Sequence, residues 1–123
     1  MKENEIAKEI VDACVKIHKI LGPGLLESAY EAVLVFELKK RGLKVATQIS
    51  QPVLYEQITL DIGYRIDILV SDIVIVELKS VENVLPVHKK QLLTYLRLSG
   101  KKLGILANFG AELMKDGIFR VIN

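Results

Sequence analysis

The sequence predicts an α/β fold, a mixed β-sheet flanked by helices. Three observations carry it. Apolar residues before Gly42 recur at helical spacing, and those from Leu43 to Lys79 recur at strand spacing. Residues 86–99 return to helical spacing. Two further strand-like runs follow them.

The elements follow in chain order. Residues 5–20 carry Ile6, Ile10, Ala13, Cys14 and Ile17 on one helical stripe, with Leu21 continuing it. Gly22-Pro23-Gly24 breaks that helix. A second helix is expected from Leu25 to Arg41, with Ala29, Val33, Phe36 and Leu38 inside and Gly42 capping its end. Leu43–Ser50 and Pro52–Glu56 are short β-prone pieces. Residues 60–70 alternate, with Ile62, Tyr64, Ile66, Ile68 and Val70 on one face and Asp61, Gly63, Arg65 and Asp67 on the other. Residues 73–79 are apolar until Glu77, the pattern of a strand buried on both faces. A helix from Pro86 to Ser99 stops at Gly100, Leu103–Asn108 is a strand, Lys115-Asp116-Gly117 turns, and Ile118–Ile122 is the last strand. The expected order is α-α-β-β-β-β-α-β-β.

At 123 residues the chain has the length of one domain, residues 1–123, with a real core. Half the residues are apolar and 26% are charged, which excludes a disordered chain. A mean hydropathy of +0.31 is high for a small soluble domain. It predicts an apolar surface covered by a second copy, a homodimer, with the first helix and Leu113-Met114 as candidate contacts. No apolar run approaches the roughly 18 residues of a membrane span. The first residues, MKENEIAKEI, lack the apolar stretch of a signal peptide. Cys14, the one cysteine, lies in the apolar helical stripe and reads as core. A cytoplasmic protein with no membrane partner is expected. The net charge of +2 does not by itself point to a nucleic acid. The clusters Lys39-Lys40-Arg41, Lys89-Lys90 and Lys101-Lys102 read either as solvated faces or as phosphate contacts.

Chemistry concentrates at Glu77-Leu78-Lys79. In a strand Glu77 and Lys79 share a face, and charges at the end of an apolar strand need partners or a task. A strand-end ion pair is the plain reading. Asp67, on the polar face of the preceding strand, adds a second carboxylate, and two carboxylates in one place call for a cation between them. Hard oxygen donors without a Cys/His cluster select Mg²⁺ or Mn²⁺ over zinc. The hairpin register decides whether they meet. A two-residue loop at Ser71-Asp72 would set Asp67 opposite Val76 and turn Glu77 away. The site needs a three-residue loop at Ser71-Asp72-Ile73, or a bulge. Downstream, His88, Gln91 and Tyr95 share a helical face, either a plain polar face or one that positions a phosphate or a water. Glu27 and Tyr30 also share a face, where Glu27 alone reads as a first-turn acid favoured by the helix dipole.

Gly24, Glu27 and Tyr30 reproduce the G-x-x-E-x-x-Y signature of the GxxExxY family. The resemblance continues through Tyr64–Asp67 (YRID), Val76–Lys79 (VELK), His88–Leu96 (HKKQLLTYL) and Leu103–Phe109 (LGILANF), nearly the whole chain. That family looks like a compact branch of the PD-(D/E)xK phosphodiesterase superfamily. The resemblance implies a restriction-endonuclease-like αβββαβ core and a metal-dependent nuclease acting on nucleic acid, DNA first, in repair, recombination or defence. It implies that Asp67, Glu77 and the Leu78 carbonyl bind Mg²⁺ or Mn²⁺, with Glu27 completing the site. Lys79 would hold the attacking water or stabilise phosphate charge, and Gln91 and Tyr95 would orient the phosphate or Lys79. Beside two ionised carboxylates, Lys79 suits charge stabilisation better than general-base work. Tyr30 and His88 stand behind the site or serve core packing and helix capping. His18, near a helix C-terminus, reads as structural. The competing reading is an idle nucleic-acid-binding or protein-interaction module on the same fold.

Overall fold

A computed structural model describes residues 2–123. Helices α1 (Lys2–Leu21) and α2 (Glu27–Lys40) precede strands β1 (Val45–Ser50), β2 (Val53–Tyr55), β3 (Ile58–Leu60), β4 (Arg65–Val70) and β5 (Val74–Lys79). Helix α3 (Pro86–Ser99), β6 (Leu103–Asn108), a 3-10 turn at Met114–Asp116 and β7 (Ile118–Ile122) complete the chain. One sheet has the order β1-β4-β5-β6-β7, and β2-β3 pair apart from it. The β5–β6 pair is parallel and the other neighbours are antiparallel. This is the expected mixed sheet flanked by helices. No helix among the described residues is long and apolar enough to cross a membrane.

The two sheet faces bury two cores. Ile10, Cys14 and Ile17 of α1 and Tyr30, Leu34 and Leu38 of α2 pack on Ile68, Val70, Val74, Val76 and Leu78. Leu92, Tyr95 and Leu96 of α3 pack on Ile66, Ile75 and Leu106 of the opposite face. Truncating any one of these fully buried leucines costs about 2–5 kcal/mol. Burial also pushes the Cys14 thiol up to about 12, so it stays a neutral core group. His18 is buried too, its Nε2 2.7 Å from the Ala111 carbonyl.

The parallel β5–β6 pair requires a crossover, and α3 supplies it. The crossover places the C-terminal ends of β5 and β6 and the N-terminus of α3 at one end of the molecule. Gly104 lets α3 lie close, since a Cβ there would meet Leu92 at 2.8 Å.

Three sequence expectations need correction. The second helix begins at Glu27, because the Tyr30 hydroxyl accepts the Leu25 N–H (3.2 Å) and donates to the Gly22 carbonyl, holding residues 22–25 as a loop. Its inner face is Tyr30, Leu34, Glu37 and Leu38, while Phe36 is 66% exposed. Residues 60–70 are not one strand. The chain leaves the sheet after β1 as the β2–β3 hairpin and re-enters at Arg65, leaving Ile62 and Tyr64 exposed. Inside β4 the alternation also changes sides at Asp67, with Ile66 buried under α3 but Ile68 under α1 and α2.

Glu37 is a buried charge that no sequence pattern announces. Arg41 Nε (3.0 Å) and Lys16 Nζ (3.2 Å) meet its Oε2, and Lys40 Nζ (3.4 Å) meets its Oε1. The Arg41 guanidinium above all, with the two lysines, pulls its carboxyl down to about 2 and ties α1 to α2. A depressed carboxylate contributes stability above its unfolded pKa and loses it as pH falls through the folded value. Glu37→Gln should therefore lower the melting temperature near neutral pH. That deficit should shrink between about pH 4.5 and about pH 2, as followed by circular dichroism melts across the range.

Candidate active site

The β4–β5 hairpin sets the geometry. Val70 pairs with Val74, so Ser71, Asp72 and Ile73 form the three-residue connection that the site requires. Ser71 and Asp72 both take left-handed backbone (φ 55° and 60°), and the Ile73 N–H closes the turn on the Val70 carbonyl at 3.0 Å. The ladder runs through Leu69–Ile75 to Ile68–Val76 and ends there. One step further along that register sets Asp67 opposite Glu77. Instead of a backbone ladder, the strands exchange side chains. The Asp67 N–H donates to Glu77 Oε2 (3.0 Å) and the Leu78 N–H donates to Asp67 Oδ2 (2.9 Å). On the other side, Gln48 interrupts the β1–β4 register opposite Asp67 with a φ of 50°, and its amide reaches Glu31 Oε1 at 2.8 Å. The sheet is thus opened on both flanks of Asp67.

This opening holds two carboxylates in a largely apolar wall. Burial and the neighbouring Asp67 charge push the Glu77 carboxyl up to about 8, against the opposing pull of the Asp67 N–H and the Lys79 ammonium. Lys79, half-buried, follows on the same face of β5. From α3, the buried Tyr95 phenol is held above its usual range by burial and then by the Glu77 charge, which places it within the field of the acidic pair. The Gln91 amide donates to the Tyr95 hydroxyl at 3.2 Å. Tyr64, just before β4, stands edge-on to Tyr95 with ring centroids 6.2 Å apart.

The other expected residues divide. Glu27 opens α2, is exposed, and adds a weaker push on Glu77. Among the described residues no three His, Cys, Asp or Glu side chains gather as a metal-holding group. Tyr30 is fully buried, stacked on Phe109 at 4.4 Å, and serves the 22–25 loop rather than the site. The Ser80 hydroxyl donates to the Leu25 carbonyl at 2.7 Å and joins that loop to the end of β5. His88 caps α3, its Nδ1 accepting the Leu85 N–H at 3.0 Å.

The basic clusters divide as well. Arg41 is held by Glu37 and Glu9, Lys40 by Glu37, and Lys101 by Asp72. Lys39, Lys40 and Arg41 lie at the far end of α2 from Glu27, about 20 Å away by helix rise. Lys101 and Lys102 precede β6, at the opposite end of that strand from Asn108 and its partner Lys79. Of the three clusters, Lys89-Lys90 stands at the site's end, with Lys89 4.1 Å over the Phe119 ring.

Three residues here, Asn108, Gly110 and Tyr64, were not anticipated. The buried Asn108, beside Lys79 in the register, grips the chain after β5. Its Oδ1 accepts the Val81 and Gly110 N–H groups (3.0 and 3.1 Å), and its Nδ2 donates to the Val81 carbonyl (2.9 Å). Gly110 must be glycine, because a Cβ would lie 2.3 Å from the Val81 oxygen. An asparagine closing an apolar strand, followed by glycine two residues on, was the available signal. Tyr64 was hidden by the false continuity of residues 60–70.

A mixed five-stranded sheet thus carries paired carboxylates and a lysine across one strand hairpin, in keeping with the resemblance to PD-(D/E)xK proteins. The family profile described as the PD-(D/E)XK nuclease superfamily matches residues 4–121, and the chain belongs to that superfamily. Membership implies nuclease chemistry, a nucleic-acid substrate and the divalent metal that these enzymes generally use. No curated protein and no solved structure matches the chain.

Because the folded protein binds the Glu77 proton more tightly than the unfolded chain does, metal-free stability should fall as pH rises from about 4.5 to about 8. The expected slope is on the order of 1 kcal/mol per pH unit. Glu77→Gln should flatten that slope in urea melts run in EDTA, since its amide oxygen still accepts the Asp67 N–H.

Proposed function

We propose that this protein is a divalent-metal-dependent phosphodiesterase of the GxxExxY branch that hydrolyses DNA, with Asp67, Glu77 and Lys79 at its centre. The observation that carries the reading is the crossed pair of bonds between Asp67, Glu77 and the two backbone N–H groups. Each bond engages one carboxylate oxygen and orients its side chain, and the second oxygen of each remains a hard donor. A pair of fixed carboxylates fits Mg²⁺ or Mn²⁺, with the Leu78 carbonyl as a further donor and Glu27 acting through water. The metal, when bound, polarises a phosphoryl oxygen and lowers the pKa of a coordinated water. Lys79 stabilises charge on the phosphate or holds the attacking water. The bonded Gln91–Tyr95 pair, anchored on α3, orients the phosphate or Lys79. Lys89 and Lys90 meet the flanking backbone. Positioning and electrostatics carry most of the rate.

The test is hydrolysis of labelled DNA with Mg²⁺ or Mn²⁺. Asp67→Asn, Glu77→Gln and Lys79→Ala should each lose roughly 100-fold or more, the scale of removing one preorganised electrostatic group. They should remain folded, and metal-free Asp67→Asn should melt higher above about pH 8, where Glu77 is ionised and one of two like charges is gone. Activity that survives EDTA, or survives in these variants at equal purity, would sink the reading. Metal-independent binding without turnover would favour the idle module.

We also propose a homodimer. α1 and the segment after Ala111 frame a shallow groove of about 350 Å³ lined by Val15, His18, Leu113 and Met114, with Lys19 and Lys115 also in its lining. Met114 is itself core, so Leu113, 56% exposed, supplies the contact. Light scattering at micromolar concentration should read twice 13.8 kDa, and a constant single mass would exclude the pair.

A further inference from the structure

The excursion from Gln51 to Tyr64 is a flap beside the acidic pair. Its base is pinned by the Gln51 N–H donating to the Tyr64 carbonyl (2.9 Å) and by the Ser50 hydroxyl donating to Asp61 Oδ1 (3.3 Å). Beyond that base, β2 and β3 bury none of their residues, and Leu54, Tyr55, Ile58 and Leu60 are all exposed. At the foot of the flap, Val53 and Tyr64 line a groove of about 530 Å³ together with Val87, Lys90, Tyr95 and Leu98 of α3.

The hydrogen-bonded pair Gln91 and Tyr95 forms part of the groove wall, and the Glu77 and Asp67 charges act on the Tyr95 phenol. The groove's chemistry is mostly apolar and aromatic, with the Gln91 amide, the Thr94 hydroxyl and one ammonium from Lys90. Tyr64 keeps 42% of its surface open there. A polyanion with flat apolar faces matches that lining. A duplex stacks those faces inside and presents sugar and phosphate outward, which leaves the apolar wall unburied. An unpaired base has its faces free to stack on aromatic rings while its phosphate meets a cation. The volume lies in the range of sites that enclose a small ligand.

We infer that the groove between the β2–β3 flap and α3 takes an unpaired nucleobase, so that the protein engages single-stranded or frayed nucleic acid in preference to duplex. Preference in binding stands on the groove alone. Preference in cleavage rests also on the nuclease reading.

The experiment measures fluorescence anisotropy in EDTA with three labelled probes of equal length: a single strand, its blunt duplex and an abasic sugar-phosphate strand. Wild type should bind the single strand at least about tenfold tighter than either other probe. Tyr64→Ala should weaken single-strand binding about 5- to 100-fold, the range of one lost base–aromatic stack, and leave duplex and abasic binding unchanged. Val87→Glu, at a position 58% exposed and so safe for folding, should act in the same direction by placing a carboxylate in the groove. Equal binding of strand and duplex overturns the inference, and so does equal weakening of the abasic strand by Tyr64→Ala. Unchanged single-strand binding in both variants overturns it as well. The two readings fail separately. Groove-dependent binding with no hydrolysis in Mg²⁺ or Mn²⁺ removes the nuclease and keeps the groove. Hydrolysis that needs Asp67 and Glu77 but runs equally on strand and duplex, in wild type and Tyr64→Ala alike, removes the groove and keeps the nuclease.

Discussion

Where the β4–β5 ladder ends, two carboxylates take over the work of two carbonyls. The Asp67 N–H finds Glu77 Oε2 and the Leu78 N–H finds Asp67 Oδ2, so the strand backbones stay satisfied while the strands part. This exchange does three things at once. It opens the sheet without orphaning a buried N–H. It points both acids the same way. It sets two acids where burial makes charge expensive, so Glu77 keeps its proton up to about pH 8. Above that pH the metal-free protein has to carry the cost of the second charge.

The scaffold answers by clamping every segment that leaves the site. Asn108 and Gly110 hold the turn after Lys79, so the strand end that carries Glu77 and Lys79 is tied down beyond its last residue. Ser80 ties the same turn to the 22–25 loop, which Tyr30 closes from within the core. His88 fixes the start of α3, and α3 in turn delivers Gln91 and Tyr95. These contacts lie around the acids rather than on them, and they make the pair's position a property of the fold rather than of loose side chains.

The surface divides in the same way. At the far ends of α2 and β6, Lys40 and Arg41 are paired with Glu37 and Glu9, and Lys101 with Asp72, and so act on the scaffold. Near the acids the exposed groups include Lys89, Lys90, Gln91, Glu27, Tyr64 and the apolar flap. A charged helix end and an apolar hairpin on either side of one groove form a mixed surface, unlike the purely basic cleft that a duplex backbone would select.

Much of this was legible in the chain. Period alone located α3, β6 and β7 to their end residues, because Pro86 and Gly100 punctuate the helix and short apolar strands have sharp ends. The acids, the lysine and the need for an odd hairpin register followed from the two-residue period of strands, and the Ser71–Ile73 connection has that register. Other features depend on neighbours distant in sequence. The alternation from Leu60 to Val70 concealed a flap, a re-entry and a change of face at Asp67, because a period records which side a residue could take and not where the partner strand stops. Glu37 became core because Lys16 arrives from another helix, and Phe36 stayed outside because Leu34 and Leu38 face the sheet. The sequence by itself determined the fold class, most of the elements and the residue types offered to a candidate site. The tertiary structure decided which cations are free to meet a ligand and how each carboxylate is held, since both depend on contacts made only when distant segments pack.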